Sequence, residues 1–167
     1  MKKVAVIEGG YSKEKAISIK SAKKVFDNLD RTKLEPTRVL IDENEWTAYD
    51  EEGKYSIDKN DFSYIKNGEK QNFEYAFIVI HGTPGEDGKL QGYLDMVGVP
   101  YNTSSSAIMA LTFQKFHCNQ FLKNFGINVP EAVLIKPEDA IDERQIIEKV
   151  KLPCFVKPQH NQRDDTW

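Results

Sequence analysis

Apolar positions along this chain recur in two rhythms: short β-branched runs, and longer stretches where they return every three or four residues. Lys3 to Ile7 (KVAVI) reads as a buried strand. Gly9-Gly10 turns the chain, and Ser12 is placed to cap a helix running to about Leu29. That helix puts Ile17, Ala22, Val25, Phe26 and Leu29 on one face and lysines on the other. Pro36 to Ile41 predicts a second strand, and Thr47 to Asp58 a hairpin turning at Glu52-Gly53. Residues 59–72 are polar and read as an irregular connection. Tyr75 to Ile80 predicts the next core strand. A helix follows from Asp87 or Gly88, with Leu90, Tyr93, Leu94 and Val97 on one face; Gly98 ends it and Val99 to Tyr101 is a short strand. This alternation predicts an α/β fold with an open, mostly parallel sheet and helices on both faces.

Asn102 to Ser106 (NTSSS), small, polar and rich in capping residues, marks a boundary between residues 1–103 and 104–167. Beyond it the pattern predicts helices at Ala107 to Leu111, Gln114 to Phe125 and Asp142 to Val150, and strands at Ala132 to Ile135 and Cys154 to Val156. The second unit is mixed α/β and only partly present.

Composition narrows the function. In 167 residues, 40% hydrophobic and 29% charged, the balance is that of a folded globular protein. A net charge of −3 without a basic block argues against nucleic-acid binding. No apolar run is long enough to span a bilayer, and the start, MKKVAVIEGGYS, breaks at Glu8 and lacks a cleavage pattern. Cys118 and Cys154 form no metal-ligand pattern, so a reduced, cytoplasmic protein is expected.

The candidate chemistry gathers in FIVIHGTPGEDGKLQG, Phe77 to Gly92. A strand delivers His81 into a glycine-rich loop bearing Glu86 and Asp87, which then opens a helix. Open α/β sheets build ligand sites at such strand ends, and free N–H groups at a helix start favour an anion. Glu14 sits near the start of the first helix, where the dipole favours a carboxylate and where an acid can hold a ligand ammonium. GGYSKE lacks the dinucleotide-binding glycine spacing. Lys157 closes the apolar run LPCFVKP, where a buried ammonium needs a partner. Lys115 lies early on its helix, where a lysine slightly opposes the dipole.

Three stretches carry a resemblance: VAVIEGGYSKEKAIS, IHGTPGEDGKLQGYLDMVGVPYNTS, and LTFQKFHCNQFLKNFGINVPEAVLI followed by LPCFVKP. Through them the chain, from about residue 3 to 158, closely resembles the D-alanine–D-alanine ligases of the ATP-grasp superfamily. The resemblance implies a Rossmann-like pre-ATP-grasp domain at residues 1–103, followed by an incomplete ATP-grasp unit. It implies an ATP-dependent ligation for peptidoglycan precursors, in which one D-alanine carboxylate is phosphorylated and the amine of a second attacks the acyl phosphate. It also implies that Glu14 holds the first D-alanine ammonium, Ser18 supports that subsite, and His81 stands beside its carboxylate. Lys115 and Lys157 fall on the two lysines that contact ATP phosphates. Lys15, Ala16 and Gln114 depart from residues common in the family.

The family uses Mg2+, whose ligands are absent from this chain, and forms homodimers partly through the first domain. From about residue 159 the chain reads QHNQRDDTW, without the Gly-Ser-Ser loop the resemblance calls for. The expectation is an inactive amino-terminal fragment of a gene cut by a frameshift or premature stop. Alternatives are a D-alanine–D-lactate ligase relative, or a non-catalytic ligand-binding or dimerisation module.

Overall fold

The computed structural model describes residues 1–157. The sequence patterns become β1 (Lys2–Gly9), α1 (Lys15–Asn28), β2 (Leu34–Ile41), β3 (Trp46–Tyr49), β4 (Lys54–Asp58), β5 (Ser63–Lys66), β6 (Glu69–Gln71), β7 (Tyr75–Ile78) and α2 (Lys89–Met96). Then come α3 (Ser106–Phe113), α4 (Lys115–Asn124) and α5 (Glu143–Val150). The seven strands form one sheet in the order β6-β5-β4-β3-β2-β1-β7.

The sheet has two characters. β1 lies between β2 and β7, parallel to both, with Val4 opposite Pro36 and Tyr75. This is the parallel nucleus expected from the βα alternation. From β2 outward every pairing is antiparallel. The α/β class stands, but the sheet as a whole is mixed rather than mostly parallel.

One source of that difference is residues 59–72, expected to be irregular. They contain the β5–β6 hairpin, closed by Asn67 and Gly68 with φ of 52° and 80°. Two positive φ values suit the right-handed twist of a tight hairpin, and Asn-Gly supplies them at low cost. The β3–β4 hairpin forms as expected, with Thr47 opposite Ser56; Asp50 Oδ1 accepts the Glu52 and Gly53 N–H groups in its turn.

Strand alternation divides the core. Ala5, Ile7, Val39, Ile41 and Ala48 share one cluster with Leu90 and Leu94 of α2. Aromatic side chains close that cluster: the Trp46 ring meets Tyr93 edge-on at 5.0 Å and Phe62 at 6.2 Å. The antiparallel extension thus curls over α2. The opposite face carries α1, whose fully buried residues are Ser18 and Ala22; Ile17, expected in the core, is 56% exposed. Val99 to Tyr101 contributes only a parallel bridge from Tyr101 to Ala76.

α3 packs on α2, and α4 on α3. The strands expected at Ala132 to Ile135 and Cys154 to Val156 do not form. Phe155 and Val156 are 90% and 96% exposed. Apolar alternation marks a segment ready to pair, but a strand exists only once a neighbour satisfies its backbone groups. The tail from about residue 159 falls outside the described residues.

Candidate functional site: the crevice between the β1–α1 and β7–α2 loops

Because β1 and β7 are parallel neighbours, both following loops leave the sheet at the same end, beyond the carboxyl ends of the strands. Backbone and side-chain bonds then stitch the loops together. The Tyr11 N–H donates to the Thr83 carbonyl at 2.8 Å. The Ser12 hydroxyl donates to the His81 carbonyl at 2.9 Å and accepts the Glu14 N–H at 3.2 Å. Such proximity needs a glycine at position 82. Gly82 has φ of 74°, and a Cβ there would lie 2.9 Å from the Ser12 Cβ. Ser12 is therefore a bridge between loops, and α1 begins three residues after it, with Glu14 at the cap position.

Glu14 is half-buried at the positive end of α1. Among the described residues its carboxylate has no hydrogen-bond or ion-pair partner, which leaves both oxygens available to a cation. Ser18, one turn on, is fully buried. Its hydroxyl donates to the Val79 carbonyl at 2.8 Å and accepts the Gly9 N–H at 3.0 Å. Both strand ends that frame the crevice are thus pinned to α1 by one side chain.

His81 follows β7, and its imidazole is 40% exposed. Nδ1 stands 4.0 Å from Glu86 Oε1, beyond hydrogen-bond range, while Glu86 Oε2 accepts the Gly82 N–H at 2.7 Å. The structure thus brings Glu14, Ser18 and His81 to one corner. Beside them, Lys15 pairs with Asp42 at the end of β2; the Lys15 ammonium holds the Asp42 carboxyl below its usual range.

Lys115 opens α4 and lines a cleft of about 240 Å³ with Glu86, Met109, Thr112 and Phe113. That is smaller than the roughly 300–1,000 Å³ of typical ligand pockets. Through Glu86 the cleft adjoins the His81 loop. Lys157 is not part of this group. It lies in an exposed segment, its ammonium 5.3 Å from the Phe155 ring centroid. The buried strand end that would demand a partner for it is not formed.

Among the described residues, no group of three or more His, Cys, Asp or Glu is placed to hold a metal ion. No helix there is long and apolar enough to cross a membrane. Cys118 and Cys154 are free thiols.

Sequence reasoning missed the bridging role of Ser12, which it read as a cap. It also gave no role to Glu86, although the acid was visible in the loop. The pairing of the two loops was the absent information.

Comparison with known proteins bears on the fold and the family. The family model described as D-ala D-ala ligase N-terminus matches residues 3–104. A D-alanine–D-alanine ligase of Azobacteroides pseudotrichonymphae is 45% identical over 95% of this chain and 49% of its own length. One from Porphyromonas gingivalis is 46% identical over 93% of this chain and 48% of its own. The chain therefore spans about half the length of the curated relatives it matches.

Among solved structures, the D-alanine–D-alanine ligase from Coxiella burnetii superposes with a TM-score of 0.79 at 27% identity, covering 89% of this chain and 50% of that one. A D-Ala:D-Ser ligase from Enterococcus faecalis gives 0.68 at 28% identity, over 78% and 43%. With a parallel β1–β7 nucleus, a stitched pair of loops at its carboxyl end and a family match over more than half its residues, the chain belongs to the D-alanine–D-alanine ligase family.

Proposed function

We propose that residues 1–103 form the pre-ATP-grasp domain of a D-alanine–D-alanine ligase and that its crevice takes the first D-alanine. In this reading the Glu14 carboxylate pairs with the substrate ammonium. His81 stands beside the substrate carboxylate and, when protonated, offsets negative charge on the acyl phosphate. Ser18 holds the elbow between them rather than touching substrate, since its proton is committed to Val79.

The reaction is phosphoryl transfer from ATP to the D-alanine carboxylate, followed by amine attack and loss of phosphate. This chain's part is positioning and charge stabilisation. Residues from 104 onward are proposed as part of the ATP-grasp unit, with Lys115 facing nucleotide phosphates across the Glu86 cleft. The same role for Lys157 rests on its sequence motif alone. Among the described residues no group of three or more His, Cys, Asp or Glu is placed for Mg2+. A cytoplasmic location fits two free thiols, and pairing of the first domain with a second copy follows from the resemblance.

The observation that carries the proposal is the shared Ser12 hydroxyl, which ties the Glu14 N–H and the His81 carbonyl to one oxygen. An amino acid carries an ammonium and a carboxylate, and this corner sets a carboxylate, Glu14, and an imidazole, His81, on two loops joined through one hydroxyl. The D-Ala:D-Ser ligase among the relatives shows that the second substrate varies on this fold, so the proposal is made for the first D-alanine.

Titration of D-alanine into the isotope-labelled chain, followed by NMR, tests it. Shifts at residues 10–18 and 80–87 with a millimolar Kd are expected, and Glu14→Gln should weaken binding about tenfold. No shift at about 100 mM D-alanine would remove the proposal.

A further inference from the structure

The sheet face beneath α1 carries the buried Val4 and Val6 but turns polar at the carboxyl end of β1. Glu8, just before Gly9, is 1% exposed. Arg38 donates to Glu8 Oε2 from Nε at 3.0 Å and from Nη2 at 2.6 Å. The Tyr49 hydroxyl donates to Glu8 Oε1. Burial and the neighbouring Glu8 carboxylate push the Tyr49 phenol well above its usual range, so it remains a donor. A carboxylate from β1, a guanidinium from β2 and a phenol from β3 thus form one chain across three strands. Arg38 Nη2 also reaches the Ile19 carbonyl in the second turn of α1, at 3.5 Å.

A buried ion pair is a poor source of stability, since well-packed apolar residues of similar volume often do as well or better. What it supplies is direction. The guanidinium spans β1 and β2, whose own ladder already sets their register, and the same group faces the backbone of α1. Immediately beyond Glu8, the Gly9 N–H is held by Ser18 of that helix. One turn before Ser18 stands Glu14, whose carbonyl accepts the Ser18 N–H at 2.9 Å.

We propose that Glu8 and Arg38 are positioning residues for the Glu14 subsite. Their buried pair holds the end of β1 and the second turn of α1 in one arrangement, and so fixes where Glu14 presents its carboxylate. What Glu14 receives rests on the function proposed above; the clamp on α1 does not.

The test uses the 167-residue chain. Glu8→Gln leaves Arg38 without a counter-charge. The double variant Glu8→Leu/Arg38→Met removes both charges and avoids the penalty of an orphan ion. Arg38→Lys keeps the charge but not the fork. Site-resolved amide exchange should show the first turns of α1 exchanging about tenfold faster in the double variant, while the β1–β2 ladder keeps its protection. Arg38→Lys should fall between the double variant and the parent. D-alanine affinity should drop by a similar factor in the double variant.

Unchanged exchange in α1, or acceleration only in step with the whole molecule, would overturn the proposal. Faster exchange in α1, with D-alanine bound by neither parent nor variant, would leave the clamp standing and remove the ammonium subsite instead.

Discussion

At the scale of single residues, the site depends on hydroxyls with two partners each. Ser18→Ala would leave the Gly9 N–H and the Val79 carbonyl buried without it. A loss of about 1–3 kcal/mol is expected in urea unfolding, together with weaker D-alanine binding. Tyr93 behaves in the opposite sense. Its hydroxyl is buried without a hydrogen-bond partner among the described residues, and burial, helped by the Asp61 charge, pushes its pKa up to about 12. In the unfolded chain a tyrosine titrates near 10. Its contribution is therefore fully present below pH ~10 and lost as pH rises toward ~12. Tyr93→Phe should keep or slightly raise stability near neutrality and shrink the loss between about pH 10 and pH 12, read from unfolding curves. The meeting of Glu14, His81 and Ser18 at one crevice was legible because the β1–α1 and β7–α2 motifs carry them. Ser12 and Glu86 were not, because their roles exist only once two loops far apart in sequence are joined.

Among elements, α2 and α3 cross at a distance set by one glycine. Gly88 has φ of 83°, and a Cβ there would lie 2.4 Å from the Ser106 carbonyl oxygen. Gly88→Ala is expected to lower stability by about 1–3 kcal/mol and to shift the resonances of α3, opening the cleft beside Lys115. Gly53→Ala is the control, since a Cβ there meets nothing closer than 3.7 Å; its change should stay within about 0.5 kcal/mol. Elements with strong local signals, such as β1, α2 and the Glu52-Gly53 hairpin, could be read from the chain. The β5–β6 hairpin was also written there, in Asn67-Gly68, but its polar composition hid the signal. The segments at 132–135 and 154–156 show the reverse. Their apolar patterns are real, yet a β pattern names a surface that seeks a neighbour and does not itself supply one.

For the whole molecule, the two characters of the sheet bear on how it assembles. β3 to β6 follow one another in sequence and pair through short turns, so each step closes little chain. β7 must instead meet β1 across everything between them, Val4 against Tyr75. In pulse-labelled exchange during refolding, protection is expected to rise at β4–β6 before it rises at β1–β7, and simultaneous protection would contradict this. The β7 edge is also where His81 leaves the sheet. The corner proposed for the amino acid is thus completed by the closure that bridges the longest stretch of chain, and mild denaturant should abolish ligand capture while the aromatic half still holds together.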